Sequence, residues 1–341
     1  MPFDAEGGAA EARLSGFLCA ATGAAAAEIQ ALHRLPGGAV QENWRLDADL
    51  AGGSLAGRQS LVLRTAAATT LGFGLDCAAE FQVLRTVHSS GIVAPEPLFV
   101  CGDAGIIGKP FFLMRRLAGD AAPARIVSGE LGGARDTLIA DLARALAAIH
   151  ALAPPRSDLA CLGPAPQDAA AARLADCAAW LARDGEPHPV AEWALRWLAR
   201  YAPEPVAPVL CHGDFRTGNF LADAAGLTGI LDWEFASWSD PDEDLGWFCL
   251  GCWRFGAYAR EAGGIAPRAA FIAAYEAASG RKVEPQRLRW WEVMAALRWL
   301  VIALRQRDRC LRGGAPSLDL ALTGRRPAEC EFEILKLTAA E

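Results

Sequence analysis

The stretch V-L-C-H-G-D-F-R-T-G-N-F-L-A-D-A-A-G-L-T-G-I-L-D-W-E, Val209 to Glu234, decides how this chain is read. Pro208-Val209-Leu210 enters as a short apolar strand, and Gly213 and Gly218 permit a tight, irregular turn. Asp214, Arg216 and Asn219 therefore fall on a loop, and Ile230-Leu231 returns as a second strand that delivers Asp232 at its end. Such a hairpin aims two carboxylates and an amide oxygen at one point. That set suits phosphoryl transfer, which asks little covalent chemistry of a protein beyond a carboxylate for the acceptor hydroxyl and oxygen ligands for a metal. A plain polar hairpin with an Asn/Gly turn has no need of the second carboxylate.

H-G-D-x-x-x-x-N followed by I-L-D-W-E resembles the aminoglycoside phosphotransferase and choline kinase superfamily, which shares the protein kinase fold. Within it, H-G-D-F-R-T-G-N is most similar to the phosphotransferase domains related to those fused to acyl-CoA dehydrogenases. The resemblance can be followed from about Leu35 to Leu304. It implies Asp214 as catalytic base and Asn219 and Asp232 as magnesium ligands. His212 is then a structural brace of the loop, with Arg216 and Glu234 as further support, and Asp244 of D-P-x-x-D-L braces the loop from a distance. The implied fold is α+β and bilobal: a small antiparallel β-sheet lobe over residues 1–115 and a larger, mainly helical lobe over 116–341. The second lobe carries the catalytic loop 209–220 and the metal loop 230–235. ATP and Mg2+ are the implied cofactors.

Outward from the motif, the N-terminal third reads as the nucleotide-covering lobe. Glu11 to Leu32 is Ala-rich with helical spacing and predicts a leading helix. Leu32–Leu35 and Trp44–Leu50 read as strands joined at Pro36-Gly37-Gly38, Ser60–Arg64 as a third strand, and Cys77–Ser89 as a helix with Phe81, Leu84 and Val87 on one face. Ile92–Val100 and Ile106–Leu117 complete five strands. Gly38 through Asn43 sits where a flexible hairpin presents backbone N–H groups to phosphate oxygens. Arg64 and Glu80, sixteen residues apart, form the expected strand-to-helix ion pair, although most kinases carry lysine at the strand position. Arginine keeps its charge, and its planar fork reaches a carboxylate and a phosphate together. At about 4 Å and an intermediate dielectric such a contact is a gross Coulomb attraction of roughly 4 kcal/mol. Pro110 to Gly119 resembles the family's hinge, where an adenine bonds main-chain groups near Met114 and Arg116.

The rest of the chain bounds the substrate. At 341 residues the chain exceeds what one hydrophobic core serves, which agrees with two lobes. No apolar run is long enough to cross a membrane, and Met1 to Glu11 has acids but no basic region of a secretory signal, so a cytoplasmic protein is expected. Net charge of −7 without a basic stripe speaks against nucleic acid as a partner. Ten cysteines show no framework, and the one close pair, Cys249 and Cys252, reads as buried sulfur on a Trp-rich helix more readily than as a redox or zinc pair. Asp240, Asp242, Glu243 and Asp244 read as a helix N-terminus, the alternative being an acidic patch for a polycation. His150, near the end of a helix over Ala134 to Ala153, reads as packing or capping. From Arg281 to Glu341 twelve Lys and Arg face eight Asp and Glu, with Arg298, Arg305, Arg307, Arg309 and Arg312 clustered after Trp290, Trp291 and Trp299. That combination predicts an anionic acceptor with an apolar part. The expectation is therefore an ATP- and Mg-dependent phosphotransferase acting on a hydroxyl of a small molecule, a hydroxyacyl-CoA-like compound included. An aminoglycoside-type antibiotic kinase and a catalytically silent nucleotide-binding protein are the alternatives.

Overall fold

On an inner strand of the N-terminal sheet, Trp44, Leu46, Ala48 and Leu50 recur with period two and are all buried, so one face of that strand is committed to a core. The computed structural model describes residues 7–35, 41–66, 74–312 and 318–339, in two compact units, Met1–Leu117 and Ala118–Glu341.

In the first unit, β1 (Ala27–Arg34), β2 (Gln41–Leu50), β3 (Gly57–Ala66), β4 (Pro97–Cys101) and β5 (Phe111–Arg115) form one antiparallel sheet in the order β1-β2-β3-β5-β4. Two helices, α1 (Gly7–Thr22) and α2 (Cys77–Ser89), cover it. Consecutive strand residues point to opposite faces, and Phe111 and Phe112 show which helix lies where. Phe17 of α1 meets Phe111 edge-on at 5.1 Å, whereas Phe81 of α2 meets Phe112 at 5.8 Å. Ala10, Leu14 and Leu18 of α1 fill the first face together with Trp44, Leu46, Leu61 and Leu63. On the second face, Arg64 stands opposite Phe112 and opposite Asn43 in the strand register, so all three share the side that α2 covers. Asp76 caps α2 by accepting the N–H of Ala79 at 2.8 Å.

The leading helix is shorter than its composition predicts. It ends at Thr22, and the residues from Ala27 to Leu32, expected to be helical, belong to β1. Ala25 donates to the carbonyl of Ala51 and β1 pairs with β2 along its length, so sheet hydrogen bonds override the helical preference of alanine. Gly38 lies outside the described residues.

In the second unit, α3 (Pro123–Ser128), α4 (Arg135–His150), α5 (Ala169–Asp184) and α6 (Pro189–Arg200) precede two small two-stranded sheets. Strand β6 (Val209–Cys211) pairs with β9 (Ser237–Ser239), and β7 (Phe220–Ala222) pairs with β8 (Leu227–Ile230). Then follow α7 (Asp242–Cys249), α8 (Arg268–Ser279), α9 (Pro285–Arg312), α10 (Leu318–Thr323) and α11 (Pro327–Thr338). From Trp290 to Leu304 nearly every residue of α9 is buried, the pattern of a helix surrounded on all sides. Trp197 and Leu198 of α6, Trp247 of α7 and Ile334 of α11 pack with Trp290, Trp291, Leu297 and Leu300 in one core. The N-terminal sheet and the mainly helical second unit make this an α+β fold of two units, as the sequence predicts. Among the described residues no helix is long and apolar enough to cross a membrane.

Candidate active site

The loop between β6 and β7 holds the polar motif, and its shape is imposed mainly from outside. Asp244, fully buried in the first turn of α7, accepts the N–H of His212 at 2.7 Å on one oxygen and the N–H of Gly213 at 2.9 Å on the other. His150 Nε2 meets the same carboxylate at 3.2 Å, while its Nδ1 lies 2.8 Å from the hydroxyl of Tyr275. Burial alone would raise the Asp244 carboxyl, but the hydrogen bond and charge of His150, with the hydrogen bond from the main chain of His212, outweigh it and hold the group below the ordinary aspartate range. His150 thus does more than cap α4, since it is a link in a chain from α8 to the loop. Gly213 has φ +78°, and a Cβ there would collide with the carbonyl oxygen of Phe235, so only glycine fits.

His212 is wholly buried and its ring spans the two small sheets. Nε2 lies 2.8 Å from the carbonyl of Leu231, and Nδ1 accepts the N–H of Asp214 at 3.2 Å. Only the neutral ring protonated on Nε2 satisfies both, and burial pushes the imidazole pKa down, which favours that form.

Asp214 is 9% exposed, and its carboxylate is held at both oxygens. Trp247 Nε1 donates to Oδ1 at 2.8 Å, Asn219 Nδ2 donates to Oδ2 at 2.5 Å, and Arg216 Nε lies 3.1 and 3.3 Å from the two oxygens. Asn219 Nδ2 also donates to the carbonyl of Asp214, which leaves its Oδ1 as the amide atom suited to a cation. Leu231 donates to the carbonyl of Asn219 at 2.8 Å, and this bond sets Asp232 at the end of the returning strand. Asp232 has φ +67° and ψ +65°, a left-handed conformation that a non-glycine residue keeps only where the surroundings enforce it. A carboxylate and an amide oxygen are hard donors of the kind magnesium takes, so Asp232 and Asn219 fit that ion. Glu234 is buried on the single turn Trp233–Phe235 that follows.

In the first unit, Arg64 is 4% exposed and bound through its fork to Glu80, Nε at 3.0 Å and Nη2 at 2.9 Å, while Nη1 donates to Asn43 Oδ1 at 3.3 Å. The strand cation, the helix carboxylate and Asn43 are therefore one constellation. Met114 is buried on β5, and the main-chain N–H groups of Arg115 and Arg116 are donated to the carbonyls of Glu96 and Ser60.

The acidic run forms the start of α7 and is internal. Asp240, Asp242, Glu243 and Asp244 are each at most 4% exposed. Arg287 pairs with Asp240 and Asp242, Arg281 with Asp242, and Arg173 with Glu243 at 2.9 Å. The C-terminal arginines that suggested a substrate charge have protein partners too, Arg298 inside the fold and Arg307 at its surface. Arg298 donates to the carbonyl of Gly213 at 2.9 Å and meets Glu243 at 3.3 Å, Arg307 meets Glu186 at 3.1 Å, and Arg309 donates to Gln306 at 2.8 Å. The side chain of Arg312 lies outside the described residues. Burial pushes the thiols of Cys249 and Cys252 well above their ordinary range, which leaves them poor nucleophiles; Cys249 ends α7 and Cys252 sits on the turn after it. Trp247, Tyr275 and Arg298 were not singled out in sequence as parts of the site, since contacts across tens of residues leave no local pattern.

A sequence model of the phosphotransferase enzyme family matches residues 31–291. Among curated proteins, acyl-CoA dehydrogenase family member 10 of Mus musculus is 26% identical over 198 residues, 58% of this chain and 18% of that protein. Acyl-CoA dehydrogenase family member 11 of Rattus norvegicus is 28% identical over 177 residues, 49% of this chain and 22% of that protein. The matches thus span less than a quarter of the length of these relatives. Among solved structures, a proposed aminoglycoside phosphotransferase of Ralstonia eutropha is similar with a TM-score of 0.71 at 19% identity, over 96% of this chain and 98% of that one. Aminoglycoside phosphotransferase APH(4)-Ia, solved with AMP-PNP and hygromycin B, gives 0.64 at 18% identity over 96% and 99%. A choline/ethanolamine kinase family protein of Mesorhizobium loti gives 0.61 at 21% over 100% and 99%. At these identities the likeness speaks to the fold.

Proposed function

This chain belongs to the phosphotransferase enzyme family, and from that premise we propose that it moves the γ-phosphate of ATP, with magnesium, to a hydroxyl of a small molecule. The observation that carries the proposal is Asp214, a nearly buried carboxylate oriented by Trp247, Asn219 and Arg216 on a loop clamped by Asp244. Asp214 accepts a hydrogen bond from the acceptor hydroxyl and aligns its oxygen. The new P–O bond forms as the bond to the departing ADP oxygen breaks, and the hydroxyl proton passes to Asp214 late in the transfer. Asn219 Oδ1 and Asp232 would hold magnesium, which supplies charge neutralisation for the phosphate oxygens. Arg64, fixed by Glu80 and Asn43, keeps a guanidinium charge of the kind that suits phosphate. His212, Glu234 and Asp244 support the loops. The AMP-PNP held by APH(4)-Ia supports nucleotide use here by analogy of fold.

An anionic or partly apolar acceptor, a hydroxyacyl-CoA ester among them, is favoured over a polycationic antibiotic, because the acids of 240–244 are buried against arginines and offer no patch to a polycation. The test is transfer of label from γ-labelled ATP across hydroxylated compounds of both kinds. Asp214→Ala should lower the rate about 10²- to 10⁴-fold, the usual effect of losing a positioned base. Transfer that survives this change, or that is confined to aminoglycosides, contradicts the reading.

A further inference from the structure

Next to Asp214 lies an aromatic cluster of which the mechanism above uses only Trp247. Trp247, whose Nε1 donates to Asp214, packs against Trp253 at 5.7 Å and edge-on against Trp299 at 6.2 Å, and Trp253 and Trp299 stand 4.9 Å apart. An indole nitrogen only donates, and those of Trp253 and Trp299 are buried without an acceptor. Trp253 is 5% exposed. The indole nitrogens of Trp197 and Trp291 are buried without an acceptor as well, but those of Trp253 and Trp299 belong to a cluster beside Asp214, where a ligand oxygen could accept from them. Two guanidinium groups already lie over these rings: Arg216 is 4.5 Å from the Trp253 centroid and Arg298 is 4.9 Å from that of Trp247. Arg298 is held by Gly213 and Glu243. Arg216 uses Nε on Asp214 and Nη1 on the carbonyl of Thr217, which leaves Nη2 uncommitted on a side chain that is 24% exposed.

We propose that Arg216, Trp253 and Trp299 form the acceptor subsite, and that it takes a hydroxy compound with an apolar body and an anionic oxygen rather than a cationic one. The proposal rests on the reading of Asp214 as the base. Aromatic faces attract cations, but here arginine occupies two of them, so an ammonium group meets like charge where it would otherwise be drawn. An anion instead meets the free donors of Arg216, and an oxygen beside it can accept from the indoles. The same exchange helps the chemistry. The two contacts from Arg216 are the longest of those that Asp214 accepts, at 3.1 and 3.3 Å against 2.8 and 2.5 Å. An anion that draws Arg216 to itself loosens them, uncovers the ring of Trp253 and frees a lone pair on Asp214 for the acceptor hydroxyl. Arg216 is in this sense a positioning residue.

The experiment uses three probes of one length and different charge, ω-hydroxyoctanoate, its methyl ester and ω-amino-octanol, titrated into the whole chain and followed by calorimetry and tryptophan fluorescence. The carboxylate should bind at least about tenfold tighter than the amine, the scale of one charge-assisted hydrogen bond. Arg216→Gln should erase that preference, and Trp253→Phe, which keeps the ring and loses the N–H, should weaken the carboxylate and the ester. Because Arg216 is partly exposed, its variant carries the test even where Trp253→Phe fails to fold. Amino-octanol bound as tightly as the carboxylate overturns the proposal. So does an Arg216→Gln variant that binds AMP-PNP more weakly and ω-hydroxyoctanoate unchanged, which would give Arg216 to the nucleotide's phosphate. Octanoate, without the hydroxyl, should bind much as ω-hydroxyoctanoate does. An intact preference with no phosphate transfer therefore strikes the catalytic reading of Asp214 alone.

Discussion

Replacing Asp244 by asparagine tests the clamp on the catalytic loop. The carboxylate has no solvent exposure and takes the N–H groups of His212 and Gly213 at 2.7 and 2.9 Å and His150 Nε2 at 3.2 Å. Asparagine has one acceptor oxygen, so its NH2 must face either the Gly213 N–H or the pair from His212 and His150. One or two buried donors then lose their acceptor. Hydrogen bonds to a charged group contribute about 1.5–3 kcal/mol each, and a stranded donor costs about 1–3 kcal/mol. The sum is about 3–5 kcal/mol, the scale of breaking a buried charge pair. Of the eleven tryptophans only Trp44 precedes residue 118, so fluorescence during urea unfolding reports the second unit. The midpoint should fall by at least about 1 M. A pH series adds the sign. The Asp244 carboxyl is held below its ordinary value, so its stabilisation is present above the unfolded pKa of about 3.9 and is lost as pH falls through the folded one. The asparagine variant should accordingly lose less stability below about pH 4 than the parent. An unmoved midpoint, or identical acid limbs, refutes the argument.

Further outcomes follow from other residues. Arg64→Met should destabilise the sheet unit by about 3–5 kcal/mol by stranding Glu80, whereas the double change with Glu80→Leu should recover most of it in thermal unfolding. Gly213→Ala should disorder the loop through the clash with Phe235, seen as lost protection of the His212 and Asp214 amides in hydrogen exchange. Asp232→Gly should raise stability by about 1 kcal/mol, because glycine accepts φ +67° without strain, while magnesium-dependent transfer disappears. Burial lowers the pKa of His212, so protonation favours the unfolded chain, and stability should begin to decline below about pH 6.5, a limb that His212→Gln removes.

What the sequence made legible was local. The loop position of Asp214 and Asn219, the five strands and the pairing of Arg64 with Glu80 depend on residues close together or on period-two burial, whereas the strand at Val209 pairs with Ser237–Ser239 and not with Ile230-Leu231 as the sequence suggested. The end of the first helix was not legible, because the alanines after Thr22 are helix formers that the sheet claims by hydrogen bonds to β2. The roles of the arginines were hidden for a related reason. Arg281, Arg287 and Arg298 look like a basic surface until the fold brings them to acids 39, 47 and 55 residues away. An ion pair at that separation carries no periodicity, so its charge is counted twice in sequence and cancels in space. His150 fell to the same limit, as its partner Asp244 is 94 residues on.

The relay from Tyr275 through His150 to Asp244 and the loop also bears on how the molecule matures. Its links come from α8, α4 and α7, and the His150 to Tyr275 contact joins residues 125 apart in sequence. Contacts so distant close late, after the segments between them have paid their ordering entropy. The loop that carries Asp214 draws its clamp from all three helices, so a chain with any one of them undocked would lack it. Under the proposed function, phosphate transfer would then report completed folding, and a partly assembled molecule would transfer none.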